Sequence, residues 1–156
     1  MSETIADSDV IIIGPGGYYT TILANLVIDG VSDSIVKSRA RKILILNLMT
    51  EFGQTYGFTA SKFITVLNDY LPIAALDFVI INNTTIPSKI LEKYNKLHAS
   101  PVNNDLPKNS SFKIIEADLL SKKLVRKEKS DNLQRSLVRH SPDKIAKLCL
   151  KILNLV

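Results

Sequence analysis

Residues 9–21 constrain this chain more than any other stretch. Asp9 leads into Val10-Ile11-Ile12-Ile13, an unbroken β-branched apolar run that ends at Gly14-Pro15-Gly16-Gly17. Such a run, with no apolar/polar alternation, predicts a strand buried on both faces, as in a parallel sheet. The glycines allow positive φ and close backbone approach. An apolar helical segment follows, expected over about 20–28, with Thr20 or Thr21 placed to cap it. A strand, a tight glycine loop and a helix N-terminus together make an anion site, because several N–H groups there lack internal partners and the helix dipole favours negative charge. The glycine spacing fits neither the dinucleotide fingerprint nor a P-loop. Taken alone, the loop reads equally well as a tight turn with no ligand.

The same alternation of elements recurs along the chain. A short helix is predicted over 31–38 and a second strand over 43–46, ending at Asn47. Residues 48–57 are polar and glycine-bearing, hence a loop. Thr59 is expected to cap a helix whose apolar positions are Phe63, Ile64, Leu67 and Leu71. A third strand is predicted over 77–81, ending at Asn82-Asn83-Thr84. Pro87 suits the first turn of a helix carrying Ile90, Leu91 and Tyr94. A polar connection over 100–111 leads to a fourth strand, 112–117, amphipathic and therefore edge-like. Ser141-Pro142-Asp143 opens the last helix, with Ile145, Leu148, Cys149, Ile152 and Leu153 as its apolar stripe.

Strand and helix in alternation predict an α/β fold, a Rossmann-like parallel sheet with flanking helices joined by right-handed crossovers. In such sheets the loops after the strands share the carboxyl edge, and ligands bind there at a switch point in strand order. That edge would gather Gly14-Pro15-Gly16-Gly17, Asn47-Leu48-Met49-Thr50 and Asn82-Asn83-Thr84. Glycine, amide and hydroxyl groups delivered to one rim argue for a ligand more strongly than any of the three loops singly.

Composition excludes several classes. The chain has 156 residues, net charge +5 and 46% hydrophobic residues. A complete domain of that length buries roughly 70% of its unfolded surface. No apolar run reaches the ~18 residues of a membrane span, and the acidic start carries no signal-peptide pattern. One cysteine, Cys149, permits no internal disulfide, which favours a reducing cytoplasm; on an apolar helical face it reads as core rather than nucleophile. The basic run over 122–129 lacks aromatic residues for stacking on bases and reads as a solvated segment, so no nucleic acid or membrane partner is expected. His98 and His140 lack ligand-spaced partners, so no metal site of the His/Cys kind is expected. His140 beside Arg139 is placed either to meet a phosphate or to pack before the last helix. Asn82 and Asn83 are either strand-end turn residues or contacts for a sugar or base. No catalytic set is identifiable: Asp69, Asp77 and Asp118 are scattered.

The wording of these motifs is itself informative. Gly14-Pro15-Gly16 with Tyr19-Thr20-Thr21, Asn47-Leu48-Met49-Thr50 with Gly53 and Thr55, Asn82-Asn83 with Ile86-Pro87, and Arg139-His140 with Pro142-Asp143 resemble, in order, the gluconeogenesis factor family of the CofD-like (2-phospho-L-lactate transferase) superfamily. The resemblance implies a Rossmann-like fold. It implies binding of a UDP-sugar such as UDP-N-acetylglucosamine, and a regulatory role in carbon-source-dependent control of cell envelope and shape. The related transferases imply an alternative: phospholactyl transfer from a nucleotide diphosphate donor, with Mg²⁺. By position, Gly14, Gly16, Gly17, Thr20 and Thr21 match the family's second glycine loop, and Asn47, Met49, Thr50 and Thr55 its second rim loop. With Asn82 and Asn83 these are the candidate ligand-binding residues.

The chain departs from the family in ways that matter. The family usually has Ser at Gly17, Leu at Tyr18, Pro at Phe52 and acids at Gln54 and Tyr56, so carboxylates able to hold Mg²⁺ or a ribose hydroxyl are missing from the rim. Family members run to about twice this length and open with a Gly-Gly-Gly-Thr-Gly type loop that nothing here matches. The resemblance therefore implies that residues 1–156 form the C-terminal part of a CofD-like domain whose glycine-rich N-terminal half is absent. It leaves an inactive fragment as a further alternative. A strand at 9–13 that has lost its neighbours exposes an apolar edge, so self-association, or pairing with a missing half, is expected.

Overall fold

In a computed structural model, the structure describes residues 2–121 and 137–153; the basic run over 122–129 lies outside the described residues. Four parallel strands, β1 (Val10–Ile13), β2 (Arg41–Ile45), β3 (Phe78–Asn82) and β4 (Lys113–Ala117), form one sheet in the order β1-β2-β3-β4. The expected α/β architecture is therefore present. The expected switch point is not: among the described strands the order runs one way without reversal.

The helices are α1 (Ser2–Ala6), α2 (Ala24–Leu26), α3 (Val31–Lys37), α4 (Ala60–Asn68), α5 (Ser88–Asn95) and α6 (Pro142–Leu153). Alternate strand residues face opposite layers. Leu44, Val79 and Ile81 join Ile22 just before α2, Leu26 of α2, Ile35 of α3, and Phe63 and Leu67 of α4 in one core. Ile43, Ile45 and Ile80 meet Tyr94 of α5 and Cys149 and Ile152 of α6 in the other. Cys149 is thus core, as expected, and burial pushes its thiol pKa up.

Burial on both faces belongs to β2 and β3, not to β1. In β1 only Ile13 is buried, and Ile12 is 48% exposed. The apolar run made β1 look central, but β1 lies at the end of the strand order and pairs with β2 alone among the described strands. β4 is edge-like as its amphipathic pattern predicted.

Two capping expectations are overturned. The helix after the glycine loop begins as a π-helical turn, Tyr18–Leu23, before α2, and its N-cap position is Gly17 with no side-chain cap from Thr20 or Thr21. Gly17 O accepts from both Thr21 N–H (2.9 Å) and Ile22 N–H (3.0 Å). Tyr18 fixes this wide turn: its buried ring meets Phe63 edge-to-face at 4.7 Å, and its hydroxyl donates to Phe63 O at 2.5 Å. That accounts for a tyrosine where the family usually has leucine. Thr59 makes no side-chain cap on α4. The carboxylate of Asp105 does so instead, accepting from Ser61 N–H (2.7 Å) and Ser61 Oγ (2.6 Å). At α6 the expected cap is present, with Ser141 Oγ accepting from Lys144 N–H at 3.4 Å.

Candidate functional site

Parallel pairing places the ends of β1, β2 and β3 at one edge of the sheet. There, a cavity of about 820 Å³ is walled by residues 15–17 after β1, 47–52 after β2, Tyr94 and residues 96–99 at the end of α5, and residues 138–140 before α6. A volume in this range is that of a small-molecule site.

The loop after β1 is held against β2. Gly14 has φ +75°, and a Cβ on it would lie 2.9 Å from Ile45 O. The side-chain amide of Asn47 donates to Gly16 O at 3.0 Å. Gly16 and Gly17 thereby line the cavity, and neither N–H enters a hydrogen bond among the described residues. The same holds for the N–H groups of Asn47, Leu48 and Met49.

The opposite wall is assembled from distant sequence. Thr50 is buried: its N–H donates to Ser100 O at 2.7 Å, and its Oγ1 accepts from Ser100 N–H at 2.9 Å. Val102 N–H donates to Leu48 O at 3.1 Å, so the 100–102 segment is stitched to the loop after β2. The hydroxyl of Tyr94 accepts from Leu137 and Val138 N–H at 2.9 and 3.2 Å, holding residues 137–140 over the cavity. His140 Nε2 lies 3.1 Å from Leu46 O. Burial lowers the His140 pKa below 6.5, with the Leu46 carbonyl opposing that shift. The ring is therefore neutral at physiological pH and, as the Nε2–H tautomer, donates to Leu46.

The electrostatic balance at the wall is positive. Lys96 and Arg139 line the cavity with no ion pair among the described residues, against one carboxylate, Glu51. No group of three metal-ligating side chains occurs among the described residues. N–H donors and cations that share one cavity without partners among the described residues have the chemistry to suit a phosphate or another multivalent anion.

Of the candidate ligand residues, the structure brings Gly16, Gly17, Asn47, Met49 and Thr50 to the cavity. Gly14 lies one step behind, as the residue that permits the turn. Thr20 and Thr21 are exposed beside Gly17 and do not line the cavity; a Cβ on Gly17 would crowd Thr20 Oγ1. Thr55 is 1% exposed, and its Oγ1 accepts from Glu51 N–H at 2.9 Å, so it braces the loop from beneath. Asn82 and Asn83 also lie off the cavity. Asn82 Oδ1 accepts from Leu119 N–H at 3.0 Å, its Nδ2 donates to Thr84 O at 2.8 Å, and Leu119 O accepts from Ser141 N–H at 2.8 Å. Asn82 thus steadies the 138–141 segment from one step away. Sequence reasoning missed Phe52, Lys96 and His98 as lining residues. A basic pair at a helix end is too common a signal to find them.

Fold and site together define an open parallel α/β protein with a cavity at the carboxyl edge of its sheet whose wall carries Lys96 and Arg139. The family model described as 2-phospho-L-lactate transferase CofD matches residues 1–120, and the chain belongs to that family. It is 30% identical to a gluconeogenesis factor of Bacillus subtilis and 33% identical to that of Halalkalibacterium halodurans, over 97% and 96% of this chain. It covers 45% and 44% of those proteins, so the chain spans less than half the length of the curated relatives it matches. A crystal structure of a Bacillus halodurans protein superposes with a TM-score of 0.82 at 31% identity, over 96% of this chain and 45% of that one.

Proposed function

We propose that this chain is a gluconeogenesis-factor-like regulatory protein, or part of one, that holds the diphosphate of a nucleotide-sugar of the UDP-N-acetylglucosamine type at the carboxyl edge of its sheet. On this reading it acts in the cytoplasm, in carbon-source-dependent control of cell envelope and cell shape, as the C-terminal part of a CofD-like domain. One observation carries the binding claim: the N–H groups of Gly16 and Gly17, without acceptors among the described residues, share a cavity with Arg139 and Lys96, which make no ion pair among those residues. Asn47 and Met49 complete the phosphate side, and Thr50 fixes the wall. Gly14, Thr20, Thr21, Thr55, Asn82 and Asn83 then act by shaping the loops.

A second reading is a 2-phospho-L-lactate-type transferase, and Glu51 is the observation that keeps it. Mg²⁺ is commonly held by one or two carboxylates together with substrate phosphates. Glu51 suits a metal arriving on a nucleotide diphosphate, not a metal caged by protein alone. Bound there, Mg²⁺ would neutralise diphosphate charge; this chain's own part is to orient the phosphates on Gly16, Gly17 and Arg139.

Isothermal titration with UDP-N-acetylglucosamine and with GDP, with and without Mg²⁺, separates the readings. Nucleotide-sugar binding without metal or turnover supports the first. Strict metal dependence with product formation supports the second. Silence from every ligand overturns both and leaves an inactive fragment.

A further inference from the structure

Phe52, Tyr56 and His98 gather at the mouth of the cavity. Phe52 and His98 line it, and their ring centroids are 5.1 Å apart at 39°. Tyr56 stands edge-on to both, at 6.1 Å from Phe52 and 6.5 Å from His98. Phe52 and Tyr56 are each 63% exposed, and all three rings lie outside the two cores. By contrast Tyr18 and Phe63 are buried. The trio is an exposed aromatic cluster, its rings inclined to one another, that belongs to neither core among the described residues.

The backbone is committed to this arrangement. His98 has φ +51°, a left-handed conformation that side-chain-bearing residues rarely adopt. It closes α5 at the position where glycine is usual, with Ala99 N–H donating to Tyr94 O at 3.0 Å. Glycine would close this helix without strain, so an imidazole there points to a use for the ring. Phe52 is held from the other side by the turn that Thr55 Oγ1 pins to Glu51 N–H.

We propose that Phe52 and His98, buttressed by Tyr56, form a stacking platform for the base of a nucleotide whose phosphates lie against Gly16, Gly17 and Arg139. The proposal rests on the phosphate-site reading above and adds the group that would recognise the other end of the ligand. Flat heteroaromatic bases stack on such surfaces with little discrimination among bases, so UDP and GDP should both profit.

The test is titration of UDP, GDP and inorganic pyrophosphate against the native chain, Phe52→Ala, Phe52→Tyr and His98→Gly. The platform requires UDP and GDP to bind the native chain more tightly than pyrophosphate. Phe52→Ala and His98→Gly should each weaken the nucleotides roughly 5- to 100-fold and leave pyrophosphate unchanged, while Phe52→Tyr keeps native affinity. His98→Gly relieves the left-handed strain, so its loss of affinity would not reflect misfolding. Nucleotides no tighter than pyrophosphate, or unmoved by both ring deletions, would overturn the platform and leave the phosphate site standing. No binding of any probe would overturn both.

Discussion

Asn47 reaches back from the end of β2 to donate its side-chain amide to Gly16 O at 3.0 Å. This bond joins the loops after β1 and β2 and fixes the glycine backbone in the cavity wall. A part-buried hydrogen bond of this kind contributes about 1 kcal/mol. Asn47→Ala should lower stability by about that amount in urea denaturation. It should also weaken diphosphate binding several-fold, because the Gly16 and Gly17 N–H groups lose their fixed direction. Unchanged affinity in titration would show that the loop holds its shape without the amide.

Gly14→Ala should be more severe. The added Cβ would sit 2.9 Å from Ile45 O, a backbone atom of a central strand, at φ +75°. The left-handed conformation alone costs roughly 1–2 kcal/mol for alanine, and the contact adds to it. A midpoint shift of more than about 2 kcal/mol in denaturant is expected. Gly17→Ala meets only the movable Thr20 hydroxyl and the Thr21 side chain, and should cost far less.

Asp105 caps α4 from outside the helix, through both the N–H and the hydroxyl of Ser61. Asp105→Ala should cost about 1 kcal/mol, the usual value of a lost N-cap. Thr59→Ala should cost less in the same thermal or urea measurement, since its hydroxyl caps no helix N–H and only meets Ser61 Oγ, at 3.1 Å, and the Asp105 carboxylate. A larger loss at Thr59 than at Asp105 would reverse this assignment.

His140 makes stability depend on pH in a stated direction. Its folded pKa is below 6.5, chiefly because burial disfavours the charged ring. The unfolded chain therefore binds the proton more readily, and stability rises with pH through that window. Its contribution is complete above about pH 6.5 and is lost as pH falls through the folded value. His140→Gln should flatten that part of the stability–pH curve. Asp118 adds a separate acid limb: the Lys144 ammonium, 2.6 Å away, brings its carboxyl to about 2. Stability from that pair is present above pH 3.8 and declines as pH falls toward about 2, and Lys144→Met should remove it.

The side of β1 that has no strand partner among the described residues should promote association. Ile12 is 48% exposed, and Val27, Ile28 and Val36 add exposed apolar surface on the elements that follow β1. Unpaired apolar edges join other strands. The chain should self-associate at high concentration in light scattering, and Ile12→Lys should shift it toward monomer. A clean native monomer at high concentration would count against this edge as a joining surface.

Much of the fold was legible in residues close together in sequence. Apolar runs marked β1, β2 and β3, an amphipathic run marked β4, and Ser141-Pro142-Asp143 marked the start of α6. Local patterns also placed the right loops at the carboxyl edge. They failed where the deciding contact was remote. Thr59 resembled a cap, yet Asp105 won the role through a fold-back. Thr20 and Thr21 looked like capping hydroxyls, but burial of Tyr18 against Phe63 set a π turn that leaves them outside.

The sequence by itself determined the alternation of strand and helix, because apolar periodicity and turn chemistry act within a few residues. It also determined membership in the CofD family, which ordered motifs carry. Only the tertiary structure decided that β1 stands at the end of the described strand order, that Asn82 and Thr55 brace rather than line the cavity, and that Phe52, Lys96, His98 and Arg139 share one cavity. Those outcomes depend on which distant backbone groups satisfy one another, as His140 does with Leu46 and Thr50 with Ser100, and no local pattern encodes such pairings.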